Sequence, residues 1–171
     1  MSVRQNFHFS CEEAINRQIN MELFASYTYL AMAFHFDRDD VALPGLHDYF
    51  KKNSDEEREH AMIFMKYMNK RGGQVILQDV KTPALPFDMT ALDAFQKALE
   101  FEKQVNESIL EIHALSTANA DPHLCDFLES TFLTEQVESI KEIADYVTQL
   151  TRVGEGLGVY MFDKELAEKK D

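Results

Sequence analysis

Four apolar stripes, read in steps of three and four, are each broken by a polar residue at nearly the same height. The first runs Ile15, Ile19, Glu22, Ser26, Tyr29, Ala33, and the second Leu46, Phe50, Asn53, Glu57, His60, Phe64, Tyr67. The third runs Leu92, Phe95, Leu99, Glu102, Asn106, Ile109, and the fourth Leu128, Phe132, Gln136, Ile140, Ile143, Val147, Leu150. This spacing is that of amphipathic helices facing a common core. A carboxylate in such a stripe is costly to bury unless it is paired or holds a metal. Three carboxylates and one imidazole converging inside a bundle therefore point to a cation site.

Punctuation between the stripes sets the expected helices at about 9–37, 44–72, 91–119, 123–153 and 157–167, in a single domain over 1–171. Ser10 is the expected N-cap of the first helix, with Glu13 as its capping-box partner. Pro44 suits the first turn of the second helix, and Pro122 that of the fourth. Gly72-Gly73 and Gly154 are natural stops. Residues 73–90 form the one long connection, with Pro83, Pro86 and a β-like patch at Val75-Ile76-Leu77. Extended, it spans up to ~60 Å, while a helix of about 28 residues is only ~42 Å long. It can run the length of the bundle and make the second and third helices parallel, so that two antiparallel hairpins are joined by one crossover.

The register agrees. Glu22 and Glu57 lie about 18 and 17 residues from the first hairpin turn, and Glu102 and Gln136 about 19 and 15 from the second, which at ~1.5 Å per residue is one level to within a helical turn. Glu57 and His60, three apart, share a helix face. Carboxylate and imidazole ligands with open positions suit iron better than structural zinc. Glu57 is the central candidate for a carboxylate bridging two metals. Tyr29 lies one turn from Ser26 on the first stripe, where it is either an ordinary core tyrosine or a neighbour of the metals.

Charge and cysteine usage narrow the class. A formal net charge of -13 argues against a nucleic-acid partner. It suits solubility and attraction of cations, and taken alone it reads first as a solvated acidic surface. Cys11 and Cys125 give no disulfide framework, so a reducing, cytoplasmic location is expected. No apolar run approaches a membrane span, and the residues from Met1 to Asn6 lack a secretory core.

Longer stretches then carry a resemblance. Arg17-Gln18-Ile19-Asn20-Met21-Glu22-Leu23, Phe36-Asp37-Arg38-Asp39-Asp40-Val41-Ala42-Leu43, Glu56-Glu57-Arg58-Glu59-His60-Ala61, Leu77-Gln78-Asp79, Asp121-Pro122-His123-Leu124-Cys125-Asp126-Phe127 and Glu135-Gln136-Val137 resemble animal ferritins of the heavy, ferroxidase-bearing type. The resemblance covers essentially the whole chain. It implies an all-α, ferritin-like four-helix bundle with a long crossover between the second and third helices and a short fifth helix. It also implies a shell of twenty-four subunits, of this chain alone or mixed with other ferritin subunits. Such a shell oxidises Fe(II) with O2 or H2O2 and stores Fe(III) as an oxide mineral.

Carried over by position, the resemblance implies that Glu22, Glu57 and His60 hold the first iron. Glu57 and Glu102 would hold the second, with Gln136 and Glu56 nearby and Tyr29 hydrogen-bonding within the centre. Gln136-x-x-Ser139 stands where many di-iron bundles carry a second Glu-x-x-His, so the second iron is expected to be held weakly. Arg58 stands where haem-binding bacterial relatives have methionine, which implies no haem. Met62, Met65 and Met68 are expected to be packing and surface residues.

Asp126 and Glu129, taken alone, are simply favourable acids near a helix start. The resemblance instead places them, with His113 and Cys125, in a three-fold channel that admits Fe(II), and makes Glu135 and Glu56 stations on the way inward. Glu56 and Glu59 match nucleating carboxylates, but the third matching position is Met62. Leu157, Met161 and Glu165 are expected around the four-fold axis, Glu165 standing where a histidine is common. The rival readings are a storage shell without ferroxidase activity, like a light chain, and a di-iron peroxidase with an electron-transfer partner. The ligands Glu22, Glu57 and His60 count against the first. The missing second Glu-x-x-His and the absence of a Cys-x-x-Cys module count against the other.

Overall fold

The computed structural model describes residues 2–169. It contains α1 (Phe9–Phe36), α2 (Pro44–Lys70), α3 (Ala91–Ala118), α4 (Pro122–Leu128), a π-helical segment (Glu129–Leu133), α5 (Thr134–Val153) and α6 (Leu157–Glu168). Leu128, Glu129, Leu133 and Thr134 all keep right-handed helical dihedrals, so α4, the π segment and α5 form one continuous fourth rod. The fold is an all-α four-helix bundle with a short fifth helix, and no strand occurs among the described residues. α1 packs chiefly on α2 and α3 chiefly on α5, while α6 lies against α2.

The core comes in two apolar halves. One gathers Tyr29, Met32, Phe36, Leu46, Phe50, Phe95, Ala98, Ile143 and Leu150. The other gathers Ile15, Ile19, Ala61, Phe64, Val105, Ile109, Leu128 and Phe132. α1 and the fourth rod enter the second half and leave by the first, whereas α2 and α3 run the other way. The second and third helices are therefore parallel, as the length of the 73–90 connection allows. Glu22, Glu57, Glu102 and Gln136 fall in the gap between the halves on all four rods.

Helix ends follow local chemistry, with one departure. α1 is capped by His8, whose extended backbone (φ -73, ψ 146) lets its ring accept from the Ser10 amide. Ser10 is thus inside the helix, its hydroxyl bonded to His8 Nδ1 at 2.8 Å, and the expected Ser10–Glu13 cap is not formed. Thr90 and Asp93 make a reciprocal capping box on α3. Gly72 ends α2 with a φ of +75, and a Cβ there would lie 2.7 Å from the Arg4 backbone nitrogen.

The crossover is held by side chains of α1 rather than by strand pairing. Asn16 donates to Gln74 O at 3.0 Å and accepts from Ile76 N at 2.9 Å. Asn20 donates to Asp79 O at 3.2 Å. The β-like patch at Val75-Ile76-Leu77 is thus an extended segment whose backbone partner is an asparagine.

α6 contributes to the bundle through Val159, Phe162 and Leu166. Its Asp163 is buried and accepts the Leu46 amide at 2.8 Å. Leu43, the residue before α2, offers no side-chain cap, so α6 supplies the missing acceptor. No helix among the described residues is long and apolar enough to cross a membrane.

The α2–α6 contact gives a stability prediction. A Cβ on Gly45 would fall 2.0 Å from the Asp163 carbonyl oxygen, a backbone atom that cannot rotate away. Gly45→Ala is expected to cost at least the ~1–3 kcal/mol typical of overpacking and to loosen α6. Denaturant midpoints and proteolysis at the Gly154–Gly156 connection measure this. An unchanged midpoint with α6 still protected would contradict it.

Candidate metal centre

Three helices bring the polar level together. Glu22 comes from α1, Glu57 and His60 from one face of α2, and ligand atoms of all three lie within 4.8 Å of one another. Two reciprocal bonds hold α1 and α2 close at this height: Ser26 Oγ donates to Ser54 O at 2.6 Å, and Ser54 Oγ to Ser26 O at 2.7 Å. α3 adds Glu102, which accepts from Tyr29 Oη at 2.6 Å and from Gln136 Nε2 at 3.1 Å.

Glu22 is fully buried, and one of its oxygens accepts from Gln18 Nε2 at 2.7 Å. Its other oxygen, Oε2, is buried without a hydrogen-bond partner. An orphaned carboxylate oxygen in a dry interior costs free energy, and a cation between Glu22, Glu57 and His60 would remove that cost.

The electrostatics say the same. Burial, and then the negative charge of Glu57, hold Glu22 well above the usual carboxylate range. Burial, again reinforced by Glu57, raises Glu102 to about 7 against the donors Tyr29 and Gln136. Burial and the Glu102 and Glu57 carboxylates push Tyr29 upward. Burial opposes a charged His60, but Glu135 and Glu57 outweigh it and raise His60 to about 11. Without a metal, protons supply the positive charge that these carboxylates lack.

The remaining candidates lie outside this cluster. Glu135 sits at its edge, 3.3 Å from His60 Nε2, with its carboxylate held low by that contact. Glu56 is half-exposed beside Lys52 at 3.8 Å. Glu59 is exposed, and Met62 is half-buried. Met68 is a core residue and Met65 packs partly against the same half of the core.

Asp126 and Glu129 are exposed near the start of the fourth rod, and Glu129 Oε1 lies 2.6 Å from His113 Nε2. Cys125 instead turns to Ser116 Oγ at 2.9 Å. Leu157 and Met161 are exposed on the outward side of α6, together with Glu165.

Sequence reasoning missed Gln18, whose place four residues before Glu22 on the same stripe was the available signal. It also missed the Ser26–Ser54 clasp and the π segment. Two ring stacks account for the π turn. Phe132 stacks on Phe64 at 4.3 Å and Phe127 on Tyr67 at 4.0 Å. Residues five apart lie about 140° apart on an α-helix, whereas a π turn brings them toward one face. Both rings can then meet α2.

A profile of the ferritin-like domain matches residues 12–153. The chain is 60% identical over 162 residues to a soma ferritin of Lymnaea stagnalis, covering 95% of this chain and 93% of that one. It is 56% identical over 165 residues to a ferritin middle subunit of Aquarana catesbeiana, covering 95% and 94%. It is 55% identical over 163 residues to a ferritin heavy chain of Echinococcus granulosus, again covering 95% and 94%.

The unpartnered oxygen generates a pH-dependent prediction. In Glu22→Gln the amide nitrogen can donate toward Glu57 without carrying charge. Because the folded-state pKa of Glu22 is raised, its protonated form favours folding fully below the ordinary value of 4.5, and that contribution is lost as pH rises. The variant is therefore expected to melt like the parent near pH 4 and above it at neutral pH, in chelator. Equal midpoints at neutral pH would contradict this account.

Proposed function

Since this chain belongs to the ferritin family, we propose that it stores iron and oxidises the Fe(II) it takes up. The reaction is assigned to the buried centre of Glu22, Glu57, His60 and Glu102, and the Fe(III) product to a mineral inside a shell of twenty-four copies. The supporting observation is the buried Glu22, which keeps one oxygen without a partner and lies within ligand reach of Glu57 and His60.

Glu22, Glu57 and His60 offer one Fe(II) a set of hard oxygen and imidazole donors. The negative charge of Glu57 raises both Glu22 and Glu102, and Glu57 is assigned the place between the two irons. Binding displaces the protons held there, so affinity rises with pH. Each of two Fe(II) gives up one electron, and the pair reduces O2 to H2O2, or H2O2 to two waters, with the uptake of two protons. On the second side Glu102 is the only strong ligand besides the shared Glu57. Gln136 is occupied in holding it, through Glu102 Oε2 and Glu102 O. Weak retention there favours release of the product toward storage.

The outer residues support delivery and assembly. Repeated around a three-fold axis, the exposed Asp126 and Glu129 would concentrate Fe(II) by their field. Leu157, Tyr160 and Met161, each more than half exposed, form an apolar face on α6 suited to contact with other copies. The free thiols of Cys11 and Cys125 suit a reducing cytoplasm.

Rapid mixing of metal-free protein with Fe(II) and O2 tests the reading. Fast oxidation of two Fe(II) per subunit is expected. Glu57→Ala and His60→Ala should lower the fast rate by at least tenfold while sedimenting as the same large assembly. Wild-type rates in Glu57→Ala would defeat the catalytic assignment.

Delivery is tested separately. Asp126→Ala with Glu129→Ala is expected to slow oxidation at limiting Fe(II), to recover at high Fe(II), and to respond less to salt. Ions screen such steering over ~8 Å at physiological strength. Equal rates at limiting Fe(II), with both assemblies intact, would show that the two acids only start a helix.

A further inference from the structure

Glu135 touches the centre from a different direction than the other carboxylates. Its Oε1 lies 3.3 Å from His60 Nε2, while His60 Nδ1 faces Glu57 Oε2 at 3.4 Å. The imidazole is also met by Phe132, with ring centroids 5.5 Å apart and planes at 85°. Phe132 belongs to the π segment and Glu135 to the first turn of α5. Three residues apart, they share a face, and together they cradle one side of the ring.

We propose that Glu135 is the positioning residue of His60, fixing which ring nitrogen is offered to iron. The inference rests on the reading that His60 is an iron ligand. A neutral imidazole carries its proton on one nitrogen only. With a cation between Glu57 and Nδ1, Glu135 is the carboxylate left to accept from the ring, which favours the tautomer with N–H at Nε2. The lone pair of Nδ1 is then directed at Glu57, inside the set that includes Glu22. A ligating histidine commonly donates its other N–H to a carboxylate in this way.

This role differs from that of a station for passing cations. A station needs negative charge and acts on the rate of arrival. A positioning residue needs an acceptor atom at one place and acts on equilibrium affinity. The two can be separated with Glu135→Gln, whose amide oxygen can accept from Nε2–H but carries no charge, and Glu135→Ala, which has neither.

Co(II) titration of the metal-free protein, followed by its visible d–d bands, reads the centre without turnover. The difference between wild type and His60→Ala isolates the His60-dependent site. Glu135→Ala is expected to weaken that site about 10–100-fold and to change its band shape. Glu135→Gln is expected to keep both affinity and band shape close to wild type. If Glu135→Ala binds as wild type does, or if Glu135→Gln is as weak as Glu135→Ala, the positioning role is wrong. If His60→Ala itself binds Co(II) as wild type does, the iron-centre reading falls and this inference falls with it. Loss in His60→Ala without loss in Glu135→Ala overturns the positioning role alone.

Discussion

The cost of burying carboxylates governs this molecule. Glu22, Glu57 and Glu102 are almost wholly withdrawn from water between two apolar half-cores. Each would be cheaper as an apolar residue, and their mutual repulsion adds to the cost. Positive charge is what relieves it, whether as protons or as a metal ion. The level is consequently a costly layer of the bundle and the one suited to chemistry.

The rest of the fold resists that cost. The aromatic-rich half around Phe36, Phe50 and Phe95 and the half around Phe64, Phe127 and Phe132 clamp the polar layer from either side. The Ser26–Ser54 clasp holds α1 and α2 at the distance that places Glu22 beside Glu57 and His60. Tyr29 and Gln136 hold Glu102 from two other helices. α6 reaches back to complete the start of α2 through Asp163. Rigidity is thus borrowed from every rod, while the ligands keep unsatisfied capacity for a cation.

The fourth rod shows how a local irregularity serves the site. Its π segment lets Phe127 and Phe132 both stack against α2, and it leads directly into Glu135 and Gln136. An uninterrupted α-helix would set Phe127 and Phe132 about 140° apart. Exposed Glu129 at one end of the segment and buried Gln136 just past the other therefore face different surroundings from one continuous rod.

The sequence by itself determined the helices, the parallel course of α2 and α3, and the level shared by Glu22, Glu57, Glu102 and Gln136. Those follow from periodicity, from loop length and from fixed rise per residue, which are properties of the chain alone. It also exposed the apolar residues of α6, too many for a core already closed by four rods. Only the tertiary structure decided that His8 rather than Ser10 caps α1, that Asn16 takes the place of a strand partner for Ile76, and that the fourth rod contains a π turn. It likewise decided that Gln18 holds Glu22, that Glu22 Oε2 is left without a partner, and that Glu135 reaches His60. The reason is common to all of these. Which donor meets which acceptor depends on side-chain direction between rods distant in sequence, and period-based reading fixes faces and heights but not the contacts made across them.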